Sequence, residues 1–228
     1  MRYLSAGTVI VLSALLGPAC GQDRGDDLAA FLGPKAGKTY VYSIDPPGPF
    51  DLKQTSVAAV PDGDVALATC SPASAEEYPD ELRKLGAQPV VSRIEVRGNK
   101  IVHVGDSGEM ILIQGPLRPG SGTWTRQIAA SHISGHNEAS DTTCGIESVG
   151  VQLVLGRSHR VVTVVCRSTG RSPSIVTEVA YAAGIGPVVE STKVEGPDGK
   201  ILSSTTRQLV TIRDGTGACS AMVDSLRK

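Results

Sequence analysis

Aromatic side chains are scarce in this chain of 228 residues: one Trp, five Tyr and two Phe. A core with so few rings has to be filled by Val, Ile, Leu and Ala. Charge of one sign is lacking as well. The 22 Lys and Arg stand against 23 Asp and Glu, with no basic stripe and no basic patch interleaved with aromatics. Nucleic acid is therefore not an expected partner. No apolar run is long enough to span a bilayer: the longest covers residues 4–16, and a spanning helix needs about 20. The sequence has no GxSxG, P-loop or HExxH, which removes the usual local signatures of a nucleophile elbow, a phosphate cradle and a zinc protease. None of the five cysteines forms C-x-x-C, so thioredoxin-like chemistry and zinc-knuckle spacing lack support. No cofactor is expected.

The N-terminal stretch carries the three zones of a secretory signal. Arg2 supplies a positive charge, residues 4–16 are mostly apolar, and Gly17, Pro18 and Ala19 are small. Cys20 follows at once. The arrangement resembles the lipobox of bacterial lipoproteins, in which the cysteine is lipidated and becomes the new N-terminus. The lipobox usually has Leu three residues before the cysteine. Here Gly17 holds that position and Leu16 lies one further back. The resemblance implies a chain anchored by lipid to a membrane of the bacterial cell envelope and facing outside the cytoplasm. The alternative is an ordinary cleaved signal that happens to precede a cysteine.

Without residues 1–19, 228 − 19 = 209 residues remain, with 22 − 1 = 21 basic against 23 acidic side chains. That length suits a single β domain. Apart from Cys20, the cysteines are Cys70, Cys144, Cys166 and Cys219. Four in an exported chain suggest two disulfides with three possible connectivities. Cys144 and Cys166 flank a hairpin-like stretch, which favours that pair and leaves Cys70 with Cys219. A turn at 156–159 would set Cys166 opposite Val149, so the pairing then needs a bulge near Gly145 or Gly150.

Residues 20–27 form the anchor and a polar tether, which reaches only about 20 Å when extended. Asp26 and Asp27 are placed to cap a brief helix over 28–32. One further helix is expected at 76–85, with acids in its first turn, Arg83 and Lys84 in its last, and Gly86 as its stop. The rest of 28–215 reads as strands separated by turn chemistry. They are expected at 39–44, 52–60, 64–70, 90–96, 101–104, 110–114, 123–133, 151–155, 161–165, 175–182, 188–195 and 201–212. Short spacing and no βαβ alternation argue an antiparallel meander. Residues 216–228 form a tail.

Three stretches carry a resemblance over most of the mature chain: PKAGKTYVY at 34–42, GSGTWTR at 120–126 and YAAGIGPV at 181–188. They resemble strand-and-turn elements of uncharacterised bacterial envelope lipoproteins, similar in outline to the periplasmic lipoprotein carriers. The resemblance implies one curved antiparallel sheet or open barrel with minor helical cover. It speaks to fold rather than activity.

Few residues form chemical constellations. Gly105-Asp106-Ser107-Gly108 has the letters of a serine-protease nucleophile motif, but its only earlier histidine is His103, on the strand entering the same turn. A tight hairpin explains all four residues. His132 and His136, with Glu138 and Asp141 behind them, form the one ligand-like local cluster. Their spacing puts both imidazoles on one face, and Glu147 or His159 is available as a third ligand. The alternative is a polar loop with solvated histidines. Trp124 and Tyr181 are candidates for lining an apolar cavity, with core as the commoner fate of such side chains. The leading expectation is a non-enzymatic envelope lipoprotein binding an apolar ligand or a partner protein. A metal-assisted hydrolase using His132 and His136, and a purely structural or interaction role, stand as alternatives.

Overall fold

A computed structural model describes residues 27–33, 35, 38–45, 54–59, 65–70, 90–105, 108–128, 140–168 and 173–215. They form a short 3-10 turn, η1 (Leu28–Phe31), and twelve strands: β1 (Lys38–Asp45), β2 (Gln54–Ala59), β3 (Val65–Cys70), β4 (Val90–Arg97), β5 (Lys100–Gly105), β6 (Gly108–Gln114), β7 (Thr123–Ile128), β8 (Ser140–Val154), β9 (Arg157–Ser168), β10 (Ser174–Ala182), β11 (Gly186–Glu195) and β12 (Ile201–Asp214). Among the described residues the fold is mainly β, with almost no helix. The twelve strands make one sheet in the order β6-β5-β4-β3-β2-β1-β12-β11-β10-β9-β8-β7. Consecutive strands other than β6 and β7 pair antiparallel, and β1 pairs antiparallel with β12. The chain thus meanders outward from β1 to β6 and back inward from β7 to β12. β6 and β7 are its two edges, and the barrel is not closed.

Curvature comes from interruptions of the ladder. Leu112, Glu147, Val188, Leu202 and Val210 are each passed over where the pairing shifts register. An extra residue in one strand bends it and increases its twist. The edges consequently come near each other, and the Trp124 Nε1–H of β7 donates to the Ile111 carbonyl of β6 at 3.3 Å.

The main core collects Phe31 from η1, Ile94, Ile101 and Ile113 from β4–β6, and Trp124, Ile146, Val162, Val164, Val179 and Tyr181 from β7–β10. A second cluster joins Tyr40 and Tyr42 of β1 to Val161, Ala180, Ala182, Ile185, Val188 and Leu209. The rings are few, and five of the eight sit in these clusters, surrounded by β-branched side chains.

Three local expectations are corrected. The stretch after Asp27 is four residues of 3-10 turn, and Asp27 makes no side-chain capping bond. A turn this short is held from outside instead: Ala30 accepts a hydrogen bond from Gly184 N–H at 2.6 Å, and Gly33 lies so close to the Ile185 backbone that a Cβ would overlap it. The β8–β9 turn is Leu155-Gly156, not 156–159. Both residues have positive φ, 48° and 77°, the pattern of a type I′ turn that matches strand twist. Strand β8 also starts at Ser140, well before Val151, because its first half pairs with β7. The expected helix at 76–85 lies outside the described residues.

Candidate functional site

The described residues offer three surfaces with chemical character. The first is polar. Residues paired across neighbouring strands share a face of the sheet, which brings Ile44, Arg207 and Glu190 side by side. Arg207 and Glu190 form an ion pair at 3.2 Å, and the guanidinium lies 4.6 Å from the centre of the Tyr42 ring. With Thr192 and Thr205 they line a space of about 210 Å³. The Tyr42 hydroxyl donates to the Pro187 carbonyl at 2.9 Å. Burial raises the pKa of Tyr42 against the pull of Arg207. Burial raises that of Tyr181 too, and Glu190 adds to the effect. Nothing in sequence reasoning singled out Arg207 or Glu190. The available signal was a charge on an otherwise Ser- and Thr-rich face of two long strands.

The second surface is a cleft of about 580 Å³ where η1 meets the β4–β5 turn, lined by Leu28, Ala29, Val96, Asn99 and Pro116 among others. Its walls are mostly apolar, as in sites for small ligands. The third is the free end of the β8–β9 hairpin. There Val151 is 73% exposed, Leu153 75% and Leu155 44%.

The sequence candidates fall unevenly on this frame. The structure joins Cys144 to Cys166 by a disulfide. A tight turn at Leu155-Gly156 alone would place Cys166 opposite Gly145, and the bulge at Glu147 shifts the ladder by one to bring in Cys144. Trp124 and Tyr181 are both 6% exposed within the main core. Cys70 ends β3, its side chain outside the description, and Cys20, Cys219, His132 and His136 lie outside the described residues altogether. His159, a candidate third ligand, stands opposite Gln152 on β8, with Nδ1 3.1 Å from the Ala183 carbonyl oxygen. Among the described residues, no three His, Cys, Asp or Glu side chains are grouped to hold a metal.

Gly105 and Gly108 pair across the β5–β6 hairpin, as the turn reading of that motif expects. His103 faces Met110 and Ile94 on the neighbouring strands, and burial lowers its pKa below the ordinary value. Asp106 and Ser107 lie outside the described residues.

No protein-family model matches the chain, and neither does any curated protein. Among solved structures the chain is similar to a Bacteroides fragilis protein described as exported and of YmcC-like fold. The TM-score is 0.45 at 9% identity, with 79% of this chain and 97% of that one covered.

Proposed function

We propose that this chain is a non-enzymatic lipoprotein of the bacterial cell envelope, held at a membrane through lipidated Cys20 and acting by docking a partner protein on its β body. The observation that carries the reading is the packing of the described rings. Trp124 and Tyr181, the rings best suited to line a ligand chamber, are packed against Phe31, Val164 and Val179 in the core. Apolar side chains are instead displayed outside, with Ile201, Leu202 and Val210 exposed along β12. The disulfide supports an oxidising compartment, and the leader at 1–19 supports export.

Native mass spectrometry of the protein purified from its own host tests this. A lipid-modified Cys20 and a co-purifying envelope protein are expected. An unmodified Cys20, or cleavage downstream of it, sinks the anchor. A bound metal ion with hydrolytic activity that disappears in His132→Ala sinks the non-enzymatic role.

A second reading keeps the apolar ligand and moves it to the cleft between η1 and the β4–β5 turn, favoured by the apolar walls at Leu28, Val96 and Pro116. Val96→Trp fills that cleft and should displace a co-purified apolar molecule. Retention of the molecule by this variant excludes the cleft.

A further inference from the structure

In an antiparallel meander successive connections alternate between the two ends of the sheet. The turn at Leu155-Gly156 therefore lies at the same end as Gly98-Asn99, 115–122 and 183–185. η1 packs there as well: Ala30 accepts from Gly184 N–H, and the Arg160 guanidinium lies 5.9 Å from the centre of the Phe31 ring. The chain arriving from Cys20 thus enters the body beside the stem of the β8–β9 hairpin.

That hairpin overshoots its neighbours. Strand β7 pairs β8 only as far as Gly145, and β10 pairs β9 only from Val161 onward. Residues 151–160 are left as a two-stranded ribbon. The core-facing stripe of β8 runs through Cys144, Ile146 and Val149, then continues past the rim of the body as Val151 and Leu153. Of the other exposed apolar side chains, Leu202 and Val210 are bulge residues passed over by the ladder, Val96 lines the cleft beside η1, and Ile201 opens β12. Val151 and Leu153 lie in regular ladder, and no described residue covers them. Leu155 crowns the tip at φ 48°, the one non-glycine residue at positive φ among those described. Asn or Gly would sit there more easily.

The charge around this apolar tip has one sign. Arg157 and Arg160 lie on the ribbon, and no Asp or Glu occurs between Ser148 and Arg160. Apolar side chains with Arg160 on their own face and Arg157 on the other, at the anchor end, match an anionic lipid surface, into whose headgroup region such elements sink roughly 5–10 Å. The lengths agree. From Arg160 to Leu155 is 160 − 155 = 5 residues, about 17 Å of strand. From Asp27 back to Cys20 is 27 − 20 = 7, a reach of roughly 20 Å.

We infer that the β8–β9 hairpin tip is a second membrane contact, inserting Val151, Leu153 and Leu155 among anionic lipid headgroups and fixing the orientation of the β body. The agreement of lengths rests on the proposed anchor at Cys20, while the apolar and basic character of the tip does not.

The test places a reporter at the tip. The full chain carrying Leu153→Trp is added to vesicles of phosphatidylcholine with phosphatidylglycerol, and to vesicles of phosphatidylcholine alone. In the anionic vesicles its emission should move to shorter wavelength and fall to about half with lipids brominated near the headgroup. Arg157→Glu in the same chain should abolish most of that response. Emission equal in all vesicles and in buffer overturns the inference. A blue shift without lipid that grows with protein concentration assigns the tip to a second copy and overturns it too. So does a shift that requires an added envelope protein. The mass of Cys20 in the same sample decides the anchor separately.

Discussion

Leu155 shows how much one residue can reveal once its backbone is known. A β-hairpin turn with φ of 48° and 77° at its two central positions asks for Asn-Gly, and this chain offers Leu-Gly. The left-handed conformation costs a leucine about 1 kcal/mol, and the side chain is nearly half exposed, so packing returns little. Leu155→Asn should raise stability by roughly 0.5–1 kcal/mol in urea denaturation while weakening association with anionic vesicles. Tyr42 and Tyr181 work in the opposite sense. Unfolded phenols ionise near pH 10, and burial holds both of these above that value. Their contribution is whole below pH 10 and is lost as pH rises past it, because the unfolded state releases its protons first. Tyr181→Phe should therefore flatten the loss of stability between about pH 9 and 11. Tyr42→Phe should do the same and cost about 1 kcal/mol at neutral pH, from the bond to Pro187. These residues were legible as strand aromatics, but the Arg207 and Glu190 beside them were not. Their proximity depends on the register of three strands, one of them separated from the others by some 150 residues.

The β8–β9 hairpin joins several of these effects in one element. Its disulfide closes a separation of 22 residues, for which chain entropy alone predicts about 3 kcal/mol. Cys144→Ala with Cys166→Ala should lower the unfolding free energy by that order, and the reduced wild type should behave alike. The pairing could be anticipated from spacing, and so could the need for a bulge, since strand residues alternate faces with period two. The bulge at Glu147 and the two-residue turn could not be placed, because Gly145, Gly150 and Gly156 offer equivalent breaks. The brief N-terminal helix was misjudged for a related reason. η1 is held by the backbone of the 183–185 turn, with Gly33 and Gly186 giving room for the approach. That contact joins parts of the chain some 150 residues apart, and no capping rule reports it.

At the scale of the whole molecule, twelve antiparallel strands follow the order of the chain except at one place, where β1 meets β12. The sheet is left with two edges, β6 and β7, and unpaired edges invite association with other chains. Here the edges come near each other, and the Trp124 indole bridges them by donating to Ile111. Trp124→Phe keeps the ring and removes the donor. It should cost about 1–2 kcal/mol and speed amide hydrogen exchange in β6 and β7 more than in β9 and β10, whose strands are paired on both sides. Equal acceleration throughout the sheet would show that the bridge is no local closure.

Sequence by itself determined the β class and most strand positions, and favoured the Cys144–Cys166 pair. Each of these is written in short-range pattern: alternation, turn residues, a spacing. Tertiary structure decided that the strands close from β1 to β12 rather than along a simple row, that Trp124 and Tyr181 are core, and that Val151, Leu153 and Leu155 are left uncovered. An alternating strand looks the same whether or not a neighbour shields it, so burial of these residues is settled only by how far the adjacent strands extend.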